Sequence, residues 1–210
     1  MSLSLKIDEF SLKVFGNNKT FFECGGAHPE IQSHTNLLEK NGWGGLVVEP
    51  WSGYNELYKN SRKNTILENY ALVSRDYVGE TIEATFSADF GGSVINGAHG
   101  NTWNPSTYPV STVTKLLLKH NITEVHQATV DVEGYELEVL KGIDFSKIKI
   151  HMIIPEHHWG EKFDFLKDFG FEELIVIPNS MQNQHLFFNT KSEFYEDAKM
   201  NLELLKNLYI

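Results

Sequence analysis

The chain has 210 residues, a length that suits one α/β domain better than two. Its formal net charge of −10 makes bulk nucleic acid and anionic membranes poor partners. The single cysteine, Cys24, excludes an internal disulfide. The first residues lack the basic head and the apolar run of a signal peptide. We therefore expect a cytoplasmic protein that neither spans nor binds a membrane.

Short apolar runs alternate with helical patterns along the chain, which predicts a mainly parallel sheet flanked by helices in one domain, 1–210. Strands are expected at 21–24, 45–50, 69–73, 81–86, 125–132, 148–155, 174–177 and 185–188, and the last two are expected to pair antiparallel. Helices are expected at 35–40, 54–60, 111–120, 135–141, 162–169 and 194–208. Lys59, Arg62 and Lys63, near the end of the second helix, come nearest to a basic patch.

Two segments stand apart from this alternation. Residues 87–109 are rich in glycine, proline, asparagine and serine and show little periodicity, so we expect a long loop that acts as a lid over the substrate. The leucines of the final helix suit packing on the sheet or on a second copy of the chain, which leaves a homo-oligomer open.

The first segment that suggests chemistry is Phe22-Glu23-Cys24-Gly25-Gly26-Ala27-His28. A strand that turns through adjacent glycines lets a ligand approach the backbone, although an ordinary tight turn has the same pattern. The dinucleotide pattern G-x-G-x-x-G is absent, which disfavours a nicotinamide-dependent oxidoreductase.

Two acidic strand ends follow. Glu49 comes after Gly25 at about the 20-residue interval of the acid that accepts the ribose hydroxyls of a nucleoside, and a solvated strand-end acid is the alternative. The segment Asp131-Val132-Glu133-Gly134-Tyr135-Glu136 begins at the end of a later strand. One of its acids can face a ligand while another caps the next helix, and the two roles are compatible.

Together these segments resemble the FkbM family of methyltransferases. The matching residues are Glu23-Cys24-Gly25-Gly26-Ala27, Ser33, Thr35, Leu38-Glu39, Gly42-Trp43-Gly44-Gly45, Glu49-Pro50, Asp131, Glu133-Gly134, Glu136, Val139-Leu140 and Gly142. The resemblance implies an α/β, Rossmann-like methyltransferase fold. This agrees with the mainly parallel sheet and the antiparallel strand near the C-terminus that the strand pattern predicts. The resemblance also implies S-adenosylmethionine as the cofactor.

The resemblance further assigns roles along the cofactor. Glu23 and Gly25, Gly26 and Ala27 would line the methionine and the ribose, and Glu49 would bind the ribose hydroxyls. Pro50 and Trp51 would border the adenine, Asn69, Tyr70 and Ala71 would contact its edge, and Asp131 would lie near the methionine amine or the reacting centre. His28 stands beside this loop as a further cofactor contact. His28-Pro29-Glu30-Ile31 departs from the family's usual small turn, so we expect an unusual path of the loop or an altered site.

The leading hypothesis is transfer of a methyl group to a hydroxyl of a small molecule or a glycan. Asp131, His157 and His158 are the candidates for the catalytic base, because a hydroxyl acceptor benefits from one. Glu156, His157 and His158 beside Asp131 also suggest a metal site, although adjacent residues of a strand point to opposite sides. A non-catalytic binding module of the same fold and a nucleic-acid methyltransferase are the alternatives.

Overall fold

The computed structural model describes residues 3–85, 94–95, 106–157, 163–177 and 183–206. The α-helices are α1 (Leu3–Phe15), α2 (Asn36–Lys40), α3 (Asn55–Ser61), α4 (Val113–Lys119), α5 (Glu136–Lys141), α6 (Tyr195–Met200) and α7 (Glu203–Lys206). The strands are β1 (Thr20–Cys24), β2 (Gly44–Val48), β3 (Thr65–Glu68), β4 (Ala71–Leu72), β5 (Thr81–Thr85), β6 (Val94–Ile95), β7 (Ser106–Ser111), β8 (Glu124–Val130), β9 (Lys149–His157), β10 (Phe171–Ile177) and β11 (Asn183–Asn189). Ser52–Tyr54 and Asp164–Phe169 form 3-10 helices.

The main sheet has seven strands in the order β10-β11-β9-β8-β1-β2-β3. The strands from β9 to β3 run parallel, and β11 runs antiparallel to both β9 and β10. This is the order of a Rossmann sheet, with one antiparallel strand near its edge. The predicted fold class, a Rossmann-like α/β protein with an antiparallel strand near the C-terminus, is confirmed.

Each face of the main sheet is covered by its own hydrophobic core, because successive side chains of a strand point to opposite faces. Phe22 and Cys24 of β1 belong to the core under α4 and α5, which we call the α4 side. Phe21 of β1 and Val47 of β2 belong to the core under α1, α2 and α3, which we call the α1 side. Glu23 therefore points to the α1 side, and so do the residues that alternate with it on the neighbouring strands.

Helix α1 was not predicted. Its residues Ile7, Phe10, Val14 and Phe15 are buried on the α1 side, and the ring of Phe15 stacks on that of Phe188 with 5.7 Å between centroids. The spacing of these residues is that of a helix with one apolar face. The pattern was thus present in the sequence but was not recognised there as a helix.

The expected third strand, 69–73, is wrong in its bounds and its partners. The third parallel strand of the main sheet is β3, Thr65–Glu68, whereas β4 pairs with β7 in a second sheet of order β4-β7-β5-β6. Of the expected lid loop, 94–95 and 106–109 lie in strands of this second sheet, and its other residues fall outside the described ranges. The expected terminal helix 194–208 is two short helices, α6 and α7, as far as residue 206.

No helix in the described ranges has the length and the apolar character needed to cross a bilayer.

Candidate functional site

The carboxyl ends of β1 and β8 flank the switch point of the main sheet, which is where open α/β sheets bind their ligands. Gly25 follows β1 with a φ angle of +77°, and the backbone N–H of Asp131 donates to the Cys24 carbonyl at 3.1 Å. A Cβ atom on Gly25 would lie 1.7 Å from the Asp131 carbonyl oxygen. Only glycine therefore fits where these two strand ends touch.

Gly26 is held by α3. A Cβ atom there would lie 2.2 Å from Cγ1 of Val47 and 2.7 Å from the hydroxyl oxygen of Tyr58, and that hydroxyl donates to the Gly26 carbonyl at 2.9 Å. Ala27 then takes a φ angle of +40°, which is unusual for a residue with a side chain. The missing side chains of the two glycines thus make room for protein atoms.

Glu49, directly after β2, accepts hydrogen bonds from the loop after β1 and from the loop after β2. Its Oε2 accepts the backbone N–H of Ala27 at 3.0 Å, and its Oε1 accepts that of Trp51 at 2.8 Å. Burial raises the pKa of Glu49 above its ordinary value, and the two N–H donors act in the opposite direction. A carboxylate offers about four lone-pair sites, so about two remain for a ligand. Beyond the half-buried Pro50, the Trp51 ring packs edge-to-face on Tyr54 at 4.9 Å.

Asn69 links the segment after β3 to the same place. Its side-chain amide donates to the Glu49 carbonyl at 2.7 Å, and it exchanges hydrogen bonds with the side chain of Asn55. Ala71 is buried in β4 and pairs in register with Val110 of β7. Asn69 thus lies beside the Glu49 backbone, whereas Ala71 belongs to the second sheet.

The carboxylate of Glu23, near the end of β1, accepts hydrogen bonds from the loop before α2. It accepts the His34 N–H at 2.9 Å and hydrogen bonds from the hydroxyls of Thr35 and Ser33. The residue is 2% exposed. Glu23 therefore fixes the loop that follows the glycines.

Arg62 fixes the other side of this loop and was missed by the sequence analysis. Its guanidinium donates to the Pro29 carbonyl at 2.8 Å, to the hydroxyls of Ser33 and Thr35 at 3.1 and 2.8 Å, and to the carboxylate of Glu39. We call Arg62 and these four groups the Arg62 network. Arg62 is 4% exposed, so the suggestion of a basic surface patch that includes it is wrong.

The segment from His28 to Ile31, which differs from the family's usual turn, forms a turn of its own. Nδ1 of His28 accepts the backbone N–H groups of Glu30 and Ile31 at 3.2 and 3.1 Å, and this closes a turn. The ring lies edge-to-face with Tyr54 at 6.0 Å. Pro29 then presents its carbonyl to the Arg62 network.

The segment after β8 is shaped by Glu136, the first residue of α5. Its Oε1 accepts the backbone N–H of Val132 at 2.9 Å and that of Gly134 at 3.1 Å. Glu133 between them has a φ angle of +57° and Gly134 one of +97°, so the turn needs such an anchor. Glu136 thereby sets the direction in which Asp131 leaves the strand.

Asp131 faces the α1 side of the cleft. It lies with Glu136 and Glu156 in a cluster whose carboxylate oxygens are within 4.8 Å of one another. Burial, followed by the charge of Glu156 and a hydrogen bond with it, holds the pKa of Asp131 well above its ordinary value. Nε2 of His34 is 3.8 Å from Oδ2 of Asp131, and burial lowers the pKa of His34, so this histidine is neutral near pH 7. His34 was not among the candidates from sequence.

His157 points away from this cluster, as the alternation along β9 requires. Its ring lies 4.7 Å from that of His185 and 6.1 Å from that of Phe163, on the α4 side, beside a cavity of about 160 Å³. The structure therefore brings Glu156, and not His157, to Asp131. His158 lies outside the described residues.

A second polar cluster lies near the amino ends of β8 and β9, away from the carboxyl ends that form the cleft. The rings of His126 and His151 stack at 4.8 Å, and both nitrogens of His151 have partners, the Ser192 hydroxyl at 2.7 Å and Glu124 at 3.1 Å. The ammonium group of Lys149 lies 2.9 Å from the Glu124 carboxylate. With a cation already beside Glu124, this cluster serves the packing of the sheet.

A Rossmann-like sheet with acids at the ends of β1, β2 and β8 defines a protein that binds a nucleoside-containing cofactor. The chain matches the family model described as the methyltransferase FkbM domain over residues 23–193, which is most of its length. The chain belongs to this family. It is an S-adenosylmethionine-dependent methyltransferase, and S-adenosylmethionine is its cofactor.

Among curated proteins the chain has no match. Among solved structures it is similar to a TehB-like SAM-dependent methyltransferase from Corynebacterium glutamicum, with 10% identity, 88% of each chain covered and a TM-score of 0.47. It is also similar to the METTL16 MTase domain (12% identity, 90% of this chain and 66% of that one, TM-score 0.48) and to MtNAS in complex with MTA and tNA (14% identity, 89% and 60%, TM-score 0.43). The chain thus spans less than two thirds of the last two. These similarities are weak, and the family assignment rests on the sequence match.

Proposed function

We propose that the protein transfers the methyl group of S-adenosylmethionine to a hydroxyl of a small molecule or a glycan. The observation that carries this proposal is the carboxyl pair Asp131–Glu156 at the edge of the cleft, beside the strand ends that flank the cofactor. A hydroxyl must lose its proton as it becomes a methyl ether, and a carboxyl group of raised pKa is suited to accept that proton near neutral pH.

The cofactor contacts follow from the atoms that are left for a ligand. We assign the ribose hydroxyls to the remaining lone pairs of Glu49, and the adenine to the surface of Pro50 and Trp51 beside Asn69. The backbone of Gly25, Gly26, Ala27 and His28 borders the methionine.

The residues have three tasks in the reaction. When bound, the cofactor supplies an electrophilic methyl group: its S–CH₃ bond breaks, an O–CH₃ bond forms, and the sulfur leaves as a neutral thioether. The loop held by Glu23 and Glu49 keeps the cofactor in line with the acceptor, which is the main contribution of such a site. Asp131 takes the proton of the acceptor hydroxyl, and Glu156 stabilises the proton it has gained.

The test has two stages. Isothermal titration with S-adenosylhomocysteine measures cofactor binding by the wild type and by Asp131→Asn. Radiolabelled S-adenosylmethionine then reports transfer to a panel of hydroxylated small molecules, neutral oligosaccharides and RNA oligonucleotides.

We expect binding in both proteins and hydroxyl methylation by the wild type, reduced about 10²–10⁴-fold in Asp131→Asn, the range for loss of a general base. Binding without transfer to any acceptor would favour a non-catalytic module. Transfer to RNA alone, with binding that weakens steeply as salt rises, would favour a nucleic-acid methyltransferase. Either result overturns the proposal.

A further inference from the structure

Three structural elements bring a carboxylate to one point beside the proposed acceptor site. Asp131 follows β8, Glu136 begins α5 and Glu156 is near the end of β9. Each places an oxygen within 4.8 Å of the others, and we call these three residues the carboxylate cluster. Its members come from separate elements, so the arrangement depends on the tertiary fold and not on a local acidic run.

The charge of the carboxylate cluster is concentrated. The charges that act most strongly on Asp131 are those of Glu156, Glu133 and Glu136, which are all acids. Among the described residues, the basic side chain nearest to Asp131 is that of His34, whose Nε2 lies 3.8 Å from Oδ2 of Asp131, and this residue is buried. Close carboxylates repel one another, and either a shared proton or a bound cation relieves this repulsion.

An observation on β11 favours the cation. Gln184 is directly opposite Glu156 in the antiparallel pairing of β9 and β11, so the two side chains are neighbours on the α1 side. Gln184 is 4% exposed, and its amide oxygen has no hydrogen-bond partner among the described residues. The residue paired with Glu156 thus carries a buried amide oxygen that lacks a donor in the described part of the chain, and carboxylate and amide oxygens together are the ligands that hard divalent cations prefer.

We propose that the carboxylate cluster and Gln184 bind one divalent cation of the Mg²⁺ or Mn²⁺ type, and that this cation holds the oxygens of the methyl acceptor. The second part rests on the proposed function, because it places the acceptor beside β8 and β9. Asp131 then binds the cation through one carboxylate oxygen and keeps the other for the proton of the acceptor hydroxyl. Mg²⁺ keeps near-octahedral geometry, so four protein oxygens leave about two positions for other ligands. The side chain of Asp131 is 29% exposed, which opens the site to the cleft.

This geometry narrows the class of acceptor. About two free positions on one ion suit an acceptor with two neighbouring oxygens, such as adjacent hydroxyls of a sugar ring. A lone hydroxyl would use one position and leave a water on the other. The cation would thus select for oxygen-rich acceptors and orient one of their hydroxyls toward the cofactor.

The direct test is titration of the 210-residue protein with Mn²⁺, with free ion counted by electron paramagnetic resonance. Asp131→Asn and Glu156→Gln each replace one charged ligand by a group of the same size, and Gln184→Leu removes the amide. Glu138→Gln is the matched control, because Glu138 is partly exposed on α5 and forms an ion pair across one turn with Lys141. Glu136 is left unchanged because it anchors the turn after β8.

We expect one Mn²⁺ per wild-type chain with a dissociation constant below about 1 mM, weakened at least about tenfold in Asp131→Asn and Glu156→Gln. Gln184→Leu should weaken it severalfold, and Glu138→Gln should leave it unchanged. No binding by the wild type at about 1 mM, or equal affinity in Asp131→Asn and Glu138→Gln, would overturn the cation site.

Titration with S-adenosylhomocysteine in excess EDTA separates the two proposals. If the cofactor product binds and Mn²⁺ does not, the cation site is wrong and the methyltransferase proposal stands. If the cofactor product does not bind to folded protein, the proposed function fails whatever Mn²⁺ does. Circular dichroism of each variant tests whether its fold is intact.

Discussion

The Arg62 network should contribute strongly to stability, because it closes the loop between β1 and α2 with a buried charge. We consider Arg62→Met, which keeps the apolar length of the side chain and removes every donor. The side chains of Arg62 and Glu39 are 1% and 10% exposed, so the ion pair is shielded from solvent. Loss of one partner from a buried ion pair costs about 3–5 kcal/mol, since the other charge stays behind unpaired.

The structure places this variant at the lower end of that range. The Glu39 carboxylate keeps hydrogen bonds from the Asn64 N–H at 2.6 Å and the Thr65 hydroxyl at 2.5 Å. The hydroxyls of Ser33 and Thr35 keep Glu23 as an acceptor. We therefore expect the free energy of unfolding to fall by about 3 kcal/mol, a large part of the 5–15 kcal/mol of a typical domain.

Urea unfolding followed by tryptophan fluorescence, to which the buried Trp43 contributes, measures this change. Lys59→Met is the control from α3, the helix that ends just before Arg62, because the Lys59 side chain is 75% exposed and its ion pair with Glu56 is on the surface. It should change stability by less than about 0.5 kcal/mol. The double variant Arg62→Met, Glu39→Gln should recover about 1–2 kcal/mol, since the unpaired charge is gone. A loss below about 1 kcal/mol in Arg62→Met, or strict additivity in the double variant, would refute the reasoning.

Three further outcomes concern the cofactor loop and the histidine pair. Glu49→Gln should weaken S-adenosylhomocysteine binding about tenfold or more in a calorimetric titration, because an amide offers the ribose fewer acceptors and no charge. Gly26→Ala should lower the free energy of urea unfolding by about 1–3 kcal/mol, because the new methyl group meets Tyr58. Burial, and then the neighbouring His151, lowers the pKa of His126 to about 4. The stability that depends on neutral His126 is therefore complete above about pH 6.5, the pKa of an unfolded histidine, and is lost as the pH falls toward 4. Urea midpoints at about pH 7 and 4.5 should therefore differ less in His126→Gln than in the wild type, and equal differences would contradict the assignment.

The sequence was informative where a local pattern decides the structure. The ends of β1, β2 and β8 were predicted within one to two residues, because buried strands read as apolar runs that end in glycine, an acid or proline. The edge strand β3, Thr65–Glu68, was missed since it has only two apolar residues between polar neighbours. The adjacent 69–73 run looked more like a strand, but Asn69 turns toward the Glu49 carbonyl and the chain leaves the main sheet there.

The residues of the site that were missed are those whose role depends on tertiary contacts. Arg62 stands between lysines in the sequence, and nothing local distinguishes it from a surface charge. Its burial arises because the loop from Pro29 to Thr35 folds over it. His34 and Gln184 were overlooked for the same reason: each acquires its neighbour, Asp131 or Glu156, only when distant strands meet.

The acids at this edge of the sheet fall into two groups once their contacts are known. Glu23, Glu49 and Glu136 accept hydrogen bonds from backbone N–H groups, so they hold the loops that form the cleft. Asp131 instead faces Glu156 and a neutral histidine, and closeness to another carboxylate makes it less stable as an anion. Carboxylates that accept hydrogen bonds from backbone N–H groups are stabilised in their charged form. Two carboxylates held close together repel each other and are stabilised by a proton or a cation. The resemblance recognised all these acids except Glu156 as one signature, but their contacts divide them. Glu23 and Glu49 build the site, Asp131 and Glu156 act on what binds there, and Glu136 belongs to both groups.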